Sequence, residues 1–136
     1  YPTPFAFIEG ESGIYHQLEA GYAEDMAQAM QTQPLLEKAT AALYILDDAP
    51  WARRVSGVFA NQLLQLAPQR AHAILTHHHQ GGYIVSVRAP AVRRSGADRL
   101  CSRYATGGGR KGAAGINHLP QRDLDRFSKD FVAAYS

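Results

Sequence analysis

The sequence predicts an α/β domain, a mixed β-sheet flanked by helices and entered through an N-terminal linker helix. Three observations carry this. Short apolar runs of strand length alternate with longer amphipathic stretches of helical period. Two central runs, "AHAILTH" and "YIVSVRA", are separated only by "HHQGG", which makes them a hairpin and the sheet a mixed one. The chain has 136 residues, 46% hydrophobic and 19% charged, enough for one domain with a substantial core and too few for two large ones.

The elements follow in order. Ile14, Leu18, Tyr22, Met26 and Met30 recur at every fourth position, predicting an amphipathic helix over 14–32 that ends near Pro34. It is acidic and reads as a connector leaning on the domain, outside the sheet layer. The apolar run "ALYILD" at 42–47, closed by "DDAP", predicts a buried strand. Residues 51–67 form the next helix, with Val55, Val58, Phe59, Leu63 and Leu66 on one face and Pro68 beyond its end. The hairpin comes next. Ser95 and Asp98 then have the spacing of a capping box opening a short helix, whose Ala97, Leu100, Cys101 and Tyr104 share a face. A glycine loop, "TGGGRKGAAG", leads to a short strand near "GINHL". The last helix sets Leu124, Phe127, Phe131 and Val132 on one side, with Asp123 and Asp125 in its first turn as the helix dipole prefers. There is no internal repeat and no low-complexity tract.

Composition narrows the function classes. No apolar run approaches the roughly 18 residues of a membrane span, and no basic-then-apolar signal pattern opens the chain. The lone Cys101 forms no intrachain disulfide, which suits a reducing cytoplasm. The chain begins "YPTPFAFIE" without methionine and is read as a piece of a longer protein. A net charge of +2 hides an asymmetry, −7 over residues 1–50 and +9 over 51–112. Positive charge therefore gathers around the glycine run. Two readings stay open: solvated arginines on a large surface, or a surface that attracts phosphate-bearing ligands.

The candidate chemistries are few. His77, His78 and His79 are consecutive, and neighbours on a strand point to opposite faces, so they read as a polar strand end and not a metal site. Asp47 and Asp48 before Ala-Pro are ordinary turn residues. Cys101 lies on the apolar face of its helix and reads as packing. No complete Ser-His-Asp, Cys-His or Walker motif is present. The glycine run is either an anion-holding concavity of free backbone amides, strengthened by Arg110 and Lys111, or a tight loop packed where two elements pass closely.

"YIVSVRAP", followed after a short helix by "GGGRKGAAGINHL", resembles the C-terminal DHH-associated domain of DHH-family phosphoesterases. That family shows a strand ending Ser-x-Arg-Ser, a short helix, and then Gly-Gly-Gly-His-x-x-Ala-Ala-Gly. Ser86 and Arg88 match the first motif, and Ala89 stands where a second serine is common. Gly107, Gly108, Gly109, Gly112, Ala113, Ala114 and Gly115 match or neighbour the second, with Arg110 in the histidine place. The resemblance covers about 42–136 and is strongest over 83–119.

With residues 1–36 read as the connector, the resemblance implies 37–136 as a substrate-binding domain. Ser86, Arg88, Gly107, Gly108, Gly109, Arg110, Lys111, Gly112, Ala113 and Ala114 would then hold a phosphate-bearing oligonucleotide, dinucleotide or related ligand. It also implies a DHH domain of the same protein, N-terminal to this one, that binds two divalent metals, commonly manganese. No cofactor and no catalytic residue is assigned to the residues here, a homodimer is allowed, and no membrane partner is implied. An Arg at the histidine place cannot titrate near neutrality but offers a fixed fork to phosphate. Arg110 is also similar to the Gly-Gly-Gly-Arg of the C-terminal domain of alanyl-tRNA synthetases, where the module binds tRNA without chemistry. "SVRAP" and "KGAAG" favour the phosphoesterases.

Overall fold

The computed structural model describes residues 24–135. A six-stranded sheet runs in the order β1-β2-β3-β4-β6-β5. Its strands are β1 (Leu36–Glu37), β2 (Ala41–Ile45), β3 (Ala71–His77), β4 (Tyr83–Arg88), β5 (Gly107–Gly109) and β6 (Ala113–Leu119). Only β2 and β3 are parallel; the other pairs are antiparallel, so the sheet is mixed as expected.

The parallel pair needs a crossover, and α2 (Pro50–Leu66) supplies it with proline in its first turn, where no N–H is missed. The buried side of α2, including Val55, Phe59 and Leu63, packs on Ala42, Tyr44, Leu46 and Ile74 of one sheet face. Phe59 meets Tyr44 edge-on with ring centroids 5.5 Å apart. The opposite face holds the larger core, where Leu43, Leu75, Val85, Val87 and Ile116 meet α3 (Ala97–Ser102) and α4 (Leu124–Ala134). Phe127 and Phe131 are fully buried there, and Tyr104 donates to Asp130 at 2.7 Å beside them. Ala97, Leu100, Cys101 and Tyr104 share the buried face, and burial pushes the Cys101 thiol up to about 12. At neutral pH it is an inert packing group.

Several local expectations are corrected. Residues 24–30 are helical (α1), and residues 14–23 of the expected helix lie outside the described residues. Met26 and Ala29 are buried against α2, whereas Met30 is 46% exposed. A stripe drawn at every fourth residue drifts about 40° per step around a 3.6-residue helix, so an i, i+3 pair faces the core instead. Leu66 is also exposed and lies outside both core clusters, because the helix breaks at Ala67 immediately after it. Ser95 forms no capping box. Gly96 is the N-cap, at a φ of 93° closed to most side chains, and the Ala97 amide is taken instead by the Lys111 carbonyl at 3.1 Å. Leu36 pairs with Leu43 in β1, so a boundary drawn after residue 36 passes through a strand. The hairpin turn forms as expected, with His78 N–H bonded to Gly82 O and Gly81 N–H to His78 O, both at 3.0 Å.

The largest correction is the glycine run. Gly107–Gly109 is not a loop but the edge strand β5, and the strand expected near "GINHL" begins earlier, at Ala113. Glycine runs carry no side-chain alternation by which a strand could be recognised.

Candidate functional site

The two sheet faces are covered unequally. The α3/α4 core spans the sheet from β2 to β6, whereas the core under α2 takes strand residues only from β2 and β3. Side chains alternate along strands, so Ile84, Ser86 and Arg88 of β4 turn to the α2 side, away from the buried Val85 and Val87. None of the three belongs to either core cluster. The same alternation places Ala113 and Gly115 of β6 beside them, since Arg88 registers with Ala113 and Ser86 with Gly115. The result is an open half-face, bounded by α2 on one side and β5 on the other.

Arg88 is the best-anchored polar group there. Its Nε donates to Asn61 Oδ1 of α2 at 3.0 Å, and Nη1 donates to the Val87 carbonyl at 3.3 Å. Neither partner is charged. No carboxylate pairs with Arg88 among the described residues, and burial together with the nearby Arg110 guanidinium pushes its pKa down. Two cations held close without a counter-charge favour an incoming anion. Beyond them Arg94, Arg110, Lys111, Gly112 and Ala113 line a shallow pocket of about 330 Å³. Arg94 packs over Gly112, where a Cβ would lie 3.4 Å from the arginine side chain.

The three glycines separate by role. A Cβ on Gly107 would lie 1.7 Å from the Cys101 carbonyl oxygen, so this position is closed by α3. On Gly109, at a φ of 144°, it would lie 2.5 Å from Ala114 Cα. A Cβ on Gly108 meets nothing within 4 Å and points to the open half-face. Nor do three amides gather into a concavity. The Gly107 N–H is bonded to the Tyr104 carbonyl at 3.0 Å, and Arg110 N–H bonds Ala113 O at 2.9 Å. Antiparallel alternation then turns the N–H of Gly108 toward Gly115.

Of the residues singled out in the sequence, Ser86, Arg88, Gly108, Arg110, Lys111, Gly112 and Ala113 border the open half-face or its pocket. Gly107, Gly109 and Ala114 do not: Gly107 is closed by α3, and Gly109 pairs with Ala114 on the side of the large core. Two residues were missed. Asn61 looks like any polar position on an amphipathic helix, and Arg94 stands in the basic run before α3. Only the fold brings either to the site.

Beneath Arg88, in register with it on β3, His72 is 1% exposed and its Nδ1 has no hydrogen-bond partner. Burial, and then the charge of Arg70, lower its pKa to about 4. The unfolded chain takes this proton near pH 6.5, the native state only near pH 4, so the unfolded state binds more protons between those values. Stability from this group is complete above pH 6.5, falls on acidification through the window, and is level below about pH 4, for a total of about 3 kcal/mol. His72→Leu should therefore flatten the pH dependence of urea-unfolding free energy between pH 7 and pH 4. An unchanged slope would contradict a neutral buried imidazole.

Among the described residues no group of three or more His, Cys, Asp or Glu side chains is placed to hold a metal. His77 packs on Tyr83, whereas His78 stacks on His79. These donor sets do not fit the divalent metals implied by the resemblance. No helix among the described residues is long and apolar enough to cross a membrane.

No family model and no curated protein matches the chain. Solved structures do. RecJ in complex with Mg2+ from Thermus thermophilus is 23% identical with a TM-score of 0.63, over 89% of this chain and 19% of that one. The pGpG-specific phosphodiesterase PggH from Vibrio cholerae is 15% identical at TM-score 0.64, over 90% of this chain and 42% of that one. An exopolyphosphatase-related protein from Bacteroides fragilis is 18% identical at TM-score 0.59, over 84% and 34%. The chain thus spans less than half the length of each. At these identities the likeness establishes a shared fold, and at that level it agrees with the DHH-family resemblance carried by the two sequence motifs.

Proposed function

We propose that this chain is the substrate-binding part of a metal-dependent DHH-family phosphoesterase, which holds a phosphate or nucleotide for two-metal hydrolysis carried out by another domain. The observation that carries this reading is the Arg88–Arg110 pair, two cations without a carboxylate partner among the described residues, beside a face kept clear by Gly108. Asn61 and the Val87 carbonyl fix the Arg88 fork from behind, which leaves its remaining N–H groups for phosphate oxygens. Arg110, Arg94 and Lys111 add charge along the pocket. Ser86, on the same strand face, has a hydroxyl that can donate to or accept from a bound phosphate. The attack on phosphorus belongs to the metal-bearing domain, and the work of these residues is to bind and orient. A cytoplasmic setting accompanies the reading, and the buried, reduced Cys101 suits it.

The test is binding without turnover. The purified chain should bind a short 5′-phosphorylated single strand and leave it intact, with or without manganese. The logarithm of affinity should fall linearly with the logarithm of salt, and Arg110→Ala should reduce the slope by roughly 0.7, one released counterion on a single strand. Salt-independent binding would contradict the reading. So would metal-dependent hydrolysis that is lost when His77–His79 are replaced.

A further inference from the structure

The far end of β4 and β6 carries a second cleft that the phosphate reading does not use. The register of β4 on β6 shifts between Tyr83 and Val85, so that Val85 pairs with Ile116 but Tyr83 with Leu119. The extra residue of this bulge frees Asn117 and His118 from the regular in-and-out alternation. His118 is then fixed by the hairpin turn, with Nε2 2.9 Å from the Gly81 carbonyl. A carbonyl only accepts, so Nε2 carries the proton. His78 is fixed by the same turn, its Nδ1 accepting from the Gln80 N–H at 3.0 Å. The His118 and His78 rings lie 4.3 Å apart at a tilt of 39°, and His79 stacks on His78 at 4.4 Å and 20°. Three imidazoles thus form one column held by the 78–82 turn.

Beside the column Gln80, Gly81, Gly82, His118, Pro120 and Arg122 help line a cleft of about 440 Å³, within the range of small-molecule sites. Its chemistry differs from that at Arg88. Partial burial and the neighbouring His118 and His79 hold the His78 imidazole below its usual range, which disfavours its charged form. The walls offer ring surface and a proline. Gln80 and Gln121 have exposed side-chain amides that both donate and accept, as base edges do. Arg122 makes no ion pair among the described residues.

We propose that this cleft is a nucleobase subsite, with the His118–His78–His79 column as its stacking platform, and that the ligand shared with the Arg88 end is a short oligonucleotide and not an inorganic polyphosphate. The inference rests on the phosphate reading above for its other end. Five residue steps separate Arg88 from Tyr83 along β4, about 17 Å at 3.3–3.4 Å per residue. A mononucleotide does not bridge that span, and a short extended strand does. Histidine is among the side chains on which unstacked bases rest, and such contacts tolerate any base because each has a π-face.

Calorimetric titration of the full 136-residue chain with three probes separates the two ends. The probes are inorganic tripolyphosphate, a short 5′-phosphorylated oligodeoxyadenylate, and an abasic strand of the same length. His118→Ala should weaken oligodeoxyadenylate about tenfold, the worth of roughly one base stacked on an aromatic ring. It should leave tripolyphosphate unchanged, and His118→Phe should restore most of the loss. The unmutated chain should bind the abasic strand about as weakly as His118→Ala binds the adenylate, a comparison that survives even if the alanine variant folds poorly. Equal affinity of the unmutated chain for abasic and adenylate strands would overturn the subsite. So would an adenylate affinity unchanged by a folded His118→Ala. Failure of the phosphate reading looks different: Arg88→Ala would then bind tripolyphosphate as well as the unmutated chain does.

Discussion

Gly107→Ala should unfold the β5 edge, and Gly108→Ala, one residue away, should leave stability nearly unchanged. The new Cβ at 107 would stand 1.7 Å from the Cys101 carbonyl oxygen and 2.5 Å from its carbon. These are backbone atoms at the end of α3, and Cys101 is fully buried. The same carbonyl accepts the Tyr104 N–H at 3.0 Å, and Tyr104 O in turn accepts the Gly107 N–H. No rotamer change relieves such a contact, so helix and strand must separate. Ordinary overpacking costs roughly 1–3 kcal/mol and occasionally more, and this contact belongs at or above the upper end. That is a large share of a domain's typical stability of roughly 5–15 kcal/mol. A Cβ at 108 meets nothing within 4 Å, and the change should fall within about 0.5 kcal/mol. Urea midpoints of the two variants decide the point. Equal midpoints would mean that β5 does not lie against α3.

Arg88→Ala should weaken binding of a short phosphorylated strand by roughly tenfold to a hundredfold, the worth of a hydrogen bond to a charged group at about 1.5–3 kcal/mol. Arg88→Lys should recover little of it. A lysine ammonium cannot hold Asn61 through an Nε–H while offering a planar fork to the phosphate. Asn61→Ala should give a smaller loss, because Asn61 acts through Arg88 as a positioning residue. Its effect should vanish in an Arg88→Ala background, a coupling that a double-mutant cycle measures. Arg53 is the control, since it is exposed on α2 and already paired with Asp48 at 2.8 Å. Equal losses for Arg53→Ala and Arg88→Ala would reduce the site to diffuse electrostatics.

Much of this architecture was legible in the residues. The buried strand β2 reads as an unbroken apolar run, and β4 sets Tyr83, Val85 and Val87 at alternate positions. The apolar period over 51–67 marks α2, and "HHQGG" marks the hairpin. What stayed hidden depended on partners distant in sequence. β5 is three glycines, and its strand character comes from pairing with β6 and contact with α3. Its register decides that Gly108 opens to solvent while Gly107 closes on a helix, and the motif alone contains neither fact. Arg110 was found because cations beside glycines suggest phosphate, and Arg88 because its strand resembles a Ser-x-Arg motif. The Asn61 buttress is 27 residues from Arg88 and had no such signal.

The central claim is that ligand phosphate sits on the open half-face between α2 and β5. Heteronuclear NMR of the labelled chain titrated with a short 5′-phosphorylated single strand tests it most directly. The largest shifts are predicted at the Arg88 Nε–H, at the Asn61 side-chain amide and at the backbone amides of Gly108, Arg110 and Ala113. The amides of Leu100, Phe127 and Phe131, in the core of the opposite face, should stay near their free positions. Unmoved Arg88 and Gly108 signals, with shifts spread over α4 or over Arg53 and its neighbours, would contradict the account.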